Sequence, residues 1–192
     1  MRKQTCIAVA VAAAVAVAGL NMLTDQSQGN GTAPTMKITM AVAVVHGLGD
    51  NKVKGVVRFT QKDGGVEIDA QLTGLTPGEH GFHIHEFGDC SMADGKCAGG
   101  HFNPTGAPHG APDAEKHHAG DFGNIKADDS GNATYKRVDN MISFSGANSI
   151  IGRAVIVHAK PDDLKTQPSG DAGDRVGCGV IGIADPKMHA GH

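Results

Sequence analysis

The spacing of glycine limits this chain more than any other feature. There are 28 glycines among 192 residues, about double the usual share, and they punctuate short β-branched runs. A long helix does not survive such density, since each interior glycine costs about 1 kcal/mol relative to alanine. The runs read as strands: 37–45, 53–61, 66–72, 81–87, 122–127, 133–138, 153–158 and 175–184. In 66–72, Val66, Ile68, Ala70 and Leu72 alternate with Glu67, Asp69 and Gln71, a period of two with one face apolar. Lys62-Asp63-Gly64-Gly65 and Asp128-Asp129-Ser130-Gly131-Asn132 close hairpins. The expected fold is all-β: an eight-stranded antiparallel Greek-key sandwich or flattened barrel. Two connections, 88–121 and 159–174, exceed simple turns, and long loops in a small domain are usually functional.

Disorder is excluded by 40% hydrophobic residues and a formal charge of only −3. A pI of about 6.4 excludes nucleic acid as a partner. Eleven histidines against 17 Lys and Arg is the anomalous count.

Residues 1–20 read as a signal peptide, with Arg2 and Lys3 ahead of an apolar run and Ala16-Val17-Ala18 as a small-x-small cleavage site. An uncleaved anchor is the alternative, and membrane association is expected only in that case. Cleavage removes two cations and takes the charge from −3 to −5. Residues 21–36 read as a polar linker, 37–185 as the single domain, and 186–192 as a polar tail carrying His189 and His192. Export to the periplasm or the medium implies an oxidising compartment in which cysteines are bridged.

The histidines fall in the long connections and at strand ends. A spacing of two puts His83 and His85 on one face of a strand, with Phe82 and Ile84 facing the core. Taken alone, an exposed pair on a sheet face explains them equally well. His101, His109, His118 and Asp121 share one glycine-rich loop, and three imidazoles with one carboxylate suit a closed four-coordinate Zn²⁺. His158 ends the apolar run Val155-Ile156-Val157. A metal on His83, His85 and His158 has nitrogen ligands only, which favours Cu²⁺. His46 reads as a turn residue and His80 as a structural residue in a turn. Of His117 and His118, only His118 is expected to point inward.

The segments Gly81-Phe82-His83-Ile84-His85-Glu86-Phe87-Gly88-Asp89, Gly100-His101-Phe102-Asn103-Pro104, His118-Ala119-Gly120-Asp121 and Gly177-Cys178-Gly179-Val180-Ile181-Gly182-Ile183-Ala184 resemble the copper/zinc superoxide dismutases. Order and spacing resemble that family from Lys37 to Ala184. The signal segment and the shorter second loop are similar to its exported bacterial branch. The resemblance implies dismutation of superoxide to dioxygen and hydrogen peroxide by a redox-cycling copper with a structural zinc. It implies copper on His83, His85, His101 and His158, and zinc on His101, His109, His118 and Asp121, with His101 bridging both metals and supplying a proton. Asp162 matches the carboxylate that links a copper histidine to a zinc histidine.

The resemblance also implies a Cys90–Cys178 disulfide, worth about 4–5 kcal/mol on chain-entropy grounds as an upper figure. Cys6 leaves with the signal, and Cys97 is left over as a thiol, an intermolecular bridge or a rival partner. Arg175 matches the arginine that guides the anionic substrate. A surface Arg paired with Asp171 or Asp174 is the plainer reading. Pro168 stands near the place of a guiding lysine, with Lys165 or Lys160 as substitutes. A homodimer is left open. The competing function is a non-catalytic copper/zinc-binding or delivery protein on the same fold.

Overall fold

A computed structural model describes residues 37–189. The signal, linker and cleavage-site expectations, and His192, lie outside the described residues.

The eight expected strands are present: β1 Met40–Gly47, β2 Lys54–Lys62, β3 Gly65–Thr73, β4 Gly78–His85, β5 Asp121–Ala127, β6 Ala133–Asp139, β7 Ala154–His158 and β8 Arg175–Ile183. They close into one antiparallel barrel in the order β1-β2-β3-β6-β5-β4-β7-β8, so no strand edge is left unpaired. β4 pairs with β5 and β7 rather than with β3, and β7 returns between β4 and β8. These are Greek-key crossovers. β5 and β6 share only two aligned pairs, Lys126↔Thr134 and Ala127↔Ala133.

The interior follows the period of two. Val66, Ile68, Ala70 and Leu72 are buried with Val57, Phe59, Phe82, Ile84, Phe122 and Ile125. Burying each of the Val, Leu, Ile and Phe side chains stabilises the fold by about 1.5–3 kcal/mol. Phe82 sets its ring centroid 5.8 Å from Phe122 and 5.2 Å from Tyr135, and the Tyr135 hydroxyl donates to the Phe122 carbonyl.

Three readings of the sequence need correction. His46 lies within β1 rather than in a turn, because its backbone pairs with Lys54 on one side and Cys178 on the other. β4 begins at Gly78 and ends at His85, so His80 is a strand residue. Residues 78–80 pair with 125–127 of β5, while Glu86 and Phe87 leave the sheet to donate to the Gly100 and Ala98 carbonyls. His117 is as buried as His118, since it folds back to donate from Nδ1 to the His118 carbonyl oxygen.

Candidate metal centre

Strand pairing brings the candidate residues together. His83 on β4 lies opposite Asp121 on β5, His85 forms a bridge with His101, and His158 on β7 lies opposite Arg175 on β8. The register shifts between Gly81 and His83, and again between Val157 and His158. Each irregularity sits at a candidate ligand, where a bulge re-aims the side chain. Asp121 and His118 close one tight turn, in which the Asp121 amide donates to the His118 carbonyl and the His118 amide donates to Asp121 Oδ2.

Two clusters result. His83, His85, His101 and His158 form one, and His101, His109, His118 and Asp121 form the other. All seven residues are buried. Within each cluster one ligand atom per residue lies within 4.8 Å of the others. His101 belongs to both.

The second nitrogen of these rings is accounted for almost throughout. His85 Nδ1 bonds the Gly99 carbonyl at 2.9 Å and His158 Nδ1 bonds that of Gly173 at 3.1 Å. His83 Nε2 and His109 Nε2 bond the two oxygens of Asp162, at 2.8 and 3.0 Å. Asp162 is itself fixed by Asn124, whose amide donates to its carbonyl and accepts from its N–H. Such outer contacts fix tautomer and ring direction, so the remaining nitrogen presents a lone pair inward.

Those inward atoms have no hydrogen-bond partner: His83 Nδ1, His101 Nε2, His109 Nδ1 and His118 Nδ1 are buried and unsatisfied. His85 Nε2 faces His158 Nε2 at 3.4 Å. Around Asp121, His109 Nδ1 lies 3.0 Å from Oδ2, and His101 Nδ1 and His118 Nδ1 lie 2.7 and 3.3 Å from Oδ1. Burying several unsatisfied polar atoms at one place is costly. Two cations remove that cost. The residues fit a metal pair: four nitrogens suit Cu²⁺, and three nitrogens with one carboxylate suit a closed Zn²⁺ site.

Electrostatics separate the clusters. Burial pushes His158 down to about 3, His101 down to about 4, and His83 and His85 below the usual imidazole range, which keeps these lone pairs free of protons near neutral pH. Burial also opposes charge on His109, but Asp121 and Asp162 outweigh it and push the ring up to about 9. Burial disfavours the charged carboxylates too, yet hydrogen bonds from the histidines hold Asp121 and Asp162 well below the usual carboxylate range. The first cluster is neutral, and in the second the ionised Asp121 is balanced by a protonated His109, whose proton a bound cation must displace.

A cleft of about 560 Å³ opens onto the first cluster, lined by His85, His101, His158, Pro168, Ser169 and Arg175 among others. The half-buried Arg175 donates through Nη1 to the Gly95 carbonyl and through Nη2 to that of Gly99, not to Asp171 or Asp174. Carbonyls cancel no charge, so the cation is retained. Lys160 and Lys165 do not line the cleft, whereas Pro168 does. Cys90 is bridged to Cys178, and Cys97 stands outside that bridge in the 3-10 turn Lys96–Ala98.

Two further residues support this centre: sequence reasoning read His80 only as a structural residue in a turn, and missed Gln167. His80 is buried, with Nδ1 2.8 Å from the His158 carbonyl oxygen and Nε2 2.8 Å from that of Thr76. Gln167 contacts the backbone of His109. The His80–His158 and Gln167–His109 contacts join a side chain to backbone 78 and 58 residues away, which leaves no local signature.

Residues 53–181 match the family described as copper/zinc superoxide dismutase (SODC). The chain is 46% identical over 160 residues to "Superoxide dismutase [Cu-Zn] 3" of Arabidopsis thaliana, covering 77% of this chain and 94% of that protein. Among solved structures it is similar to that titled "Crystal Structure Analysis of the clock protein EA4", with a TM-score of 0.71 and 42% identity, covering 78% of this chain and 97% of the other. The match spans both clusters, and every residue they need for two metals is in place. By sequence and by the donor atoms it gathers, this chain belongs to the copper/zinc superoxide dismutase family.

Proposed function

We infer that the chain converts two superoxide anions and two protons to dioxygen and hydrogen peroxide, with Arg175 and His101 as the side chains that serve the substrate. The observation that carries this reading is His101, shared between an all-nitrogen cluster open to a cleft and a closed cluster with a carboxylate. Copper bound at the first cluster supplies the one-electron redox chemistry, and zinc at the second supplies charge and geometry without redox.

The protein's own residues do the rest. Arg175 places a retained cation at the cleft and attracts a small anion into it. With its Nδ1 held at the second cluster, His101 would carry a proton at Nε2 when that nitrogen is disengaged, and so would present a donor to the peroxide leaving the cleft. Asp162 locks His83 and His109 in one orientation through its two oxygens. Superoxide consumption by protein of measured copper and zinc content is the test. Consumption proportional to copper supports the reading, and a protein that binds both metals yet matches its metal-free form is a carrier instead.

The protein is of the exported bacterial type, directed to the periplasm or the medium. The basic start at Arg2 and Lys3, the apolar run behind it, the short second loop and the Cys90–Cys178 bridge support this. Fractionation of expressing cells tests it. Val44, Phe87, Val180 and Ile183 are exposed apolar residues that suit a second copy of the chain. Sedimentation across a concentration series tests the homodimer.

A further inference from the structure

Gln167 touches neither metal cluster with a ligand atom, and the reaction described above does not use it. Its amide nevertheless closes a two-point contact on a zinc ligand. Oε1 accepts from the His109 backbone N–H at 2.8 Å, and Nε2 donates to the His109 carbonyl oxygen at 2.8 Å. The other hydrogen of Nε2 reaches the Lys165 carbonyl at 3.1 Å. Only one orientation of the amide satisfies all three contacts, since the reverse sets oxygen against two carbonyls. His109 lies in an irregular stretch outside the sheet, so both of its main-chain groups are satisfied by this one side chain.

The position of Gln167 gives the contact a second consequence. It sits in a turn in which the Gly170 amide donates to the Thr166 carbonyl at 2.7 Å, and Asp163 accepts from the Thr166 amide. The next two residues, Pro168 and Ser169, line the cleft over the copper cluster. One turn therefore grips a zinc ligand with its first side chain and forms the substrate entrance with the following two. Asp162 joins the same two loops through the His109 ring, but Gln167 acts on the main chain and is a separate connection.

We propose that Gln167 is a positioning residue that couples zinc retention at His109 to the shape of the copper-cleft entrance. It rests on the zinc assignment of the second cluster. With zinc bound, His109 is fixed, Gln167 is held against it, and residues 168–169 are set at the entrance. Loss of zinc frees His109 and loosens the entrance through the same contact.

Three proteins test this: wild type, Gln167→Met, which keeps the volume and removes all three bonds, and Gln167→Glu, which can accept from the His109 amide but cannot donate to its carbonyl. Each is loaded with both metals, and zinc release to a chelator is followed beside copper release. Outer-sphere contacts of this kind change metal affinity by about 10–100-fold. Zinc release is expected about tenfold faster from Gln167→Met and at an intermediate rate from Gln167→Glu, with copper release unchanged. Amide exchange across 165–170 is expected to rise in wild type only on zinc removal, and to be already high in zinc-loaded Gln167→Met. Thermal melting separates this from a general structural role: the proposal has the zinc-induced rise in Tm shrink in Gln167→Met, while the metal-free Tm moves little. Equal zinc release from the three proteins, or equal acceleration of copper and zinc release, would overturn the coupling. Wild type that takes up no zinc would overturn the zinc assignment and the coupling together.

Discussion

The Arg175 guanidinium and the His85 imidazole hydrogen-bond the same oxygen, the Gly99 carbonyl, at 2.6 and 2.9 Å. The cleft arginine and a histidine of the copper cluster thus take their positions from a single peptide group. That peptide lies in the connection between β4 and β5, which the Cys90–Cys178 bridge ties to β8 three residues beyond Arg175. Cys90→Ser releases the tether while leaving every ligand in place. Closure of an 88-residue separation is worth at most about 4–5 kcal/mol. The expected result is a lower Tm and a lower rate per bound copper, read by calorimetry and metal analysis on the same sample. An unchanged rate per copper would show that Gly99 is held without the bridge.

The sequence was legible where structure is set by neighbours. Val66 to Leu72 reports its buried face because alternation is local, and His83 with His85 reports a shared face for the same reason. His46 was misread because its strand character comes from Lys54 and Cys178 on either side, not from its own propensity. The ligand residues are visible as residue types, but their aim depends on the shifts at His83 and His158, which arise only when β4 meets β5 and β7 meets β8. Gln167 was silent, and the partner of the structural His80 was not legible, because a side chain that bonds a distant carbonyl needs no motif around it.

His101 is expected to be the least replaceable ligand. One of its nitrogens lies 2.7 Å from Asp121 and the other is buried for the first cluster. His101→Ala removes a donor from both clusters, whereas His158→Ala removes one from the copper cluster alone. After dialysis, His101→Ala is expected to lose copper and retain less zinc, and His158→Ala to lose copper and keep zinc. Equal zinc in the two variants counts against a shared ring.

Acid is expected to destabilise the metal-free protein, beginning near neutrality. The folded pKa values of His101 and His158 are depressed to about 4 and about 3, against about 6.5 in an unfolded chain. The unfolded state therefore binds more protons between about pH 6.5 and 3, and stability falls as pH falls through that window. His109 acts with the opposite sign: raised to about 9, it contributes fully below about 6.5 and loses that contribution as pH rises through 9. His83 and His85 shift in the same direction as His101 and His158, so four rings oppose one. Urea unfolding of the metal-free protein at pH 7.5, 5.5 and 4.5 checks this. Stability that rises on acidification would mean that His109 prevails.

Gly170→Ala is expected to damage the zinc site without altering a ligand. A Cβ at Gly170 would overlap Asp162 Oδ1 and lie 2.8 Å from His109 Nε2, so the carboxylate that joins His83 to His109 must move. The backbone there has φ of +69°, which costs a further ~1–2 kcal/mol for an L-residue. Zinc affinity is expected to fall about 10–100-fold, measured by competition with a chromogenic chelator. Wild-type affinity in the variant would mean that Asp162 has room to yield.

Arg175 carries the last prediction. Superoxide is an anion, and the chain bears a formal −3, which the proposed removal of Arg2 and Lys3 would take to −5, so the overall field repels the substrate. A fast reaction requires local positive potential at the cleft, where low-dielectric walls focus the field. Among the residues that line the cleft, Arg175 is the one Arg or Lys. Its hydrogen bonds go to neutral carbonyls rather than to a carboxylate, and Asp94 acts on it only through space. Burial lowers its pKa, but from a value far above neutrality, and the charge stays. Arg175→Ile is expected to keep both metals, to lower the rate about tenfold or more at low salt, and to flatten the fall of rate with ionic strength. The flattening follows because salt screens long-range attraction over about 10 Å at 0.1 M, and the variant has little attraction left to screen. A variant with both metals and the wild-type rate at low salt would show that the substrate finds the copper without Arg175.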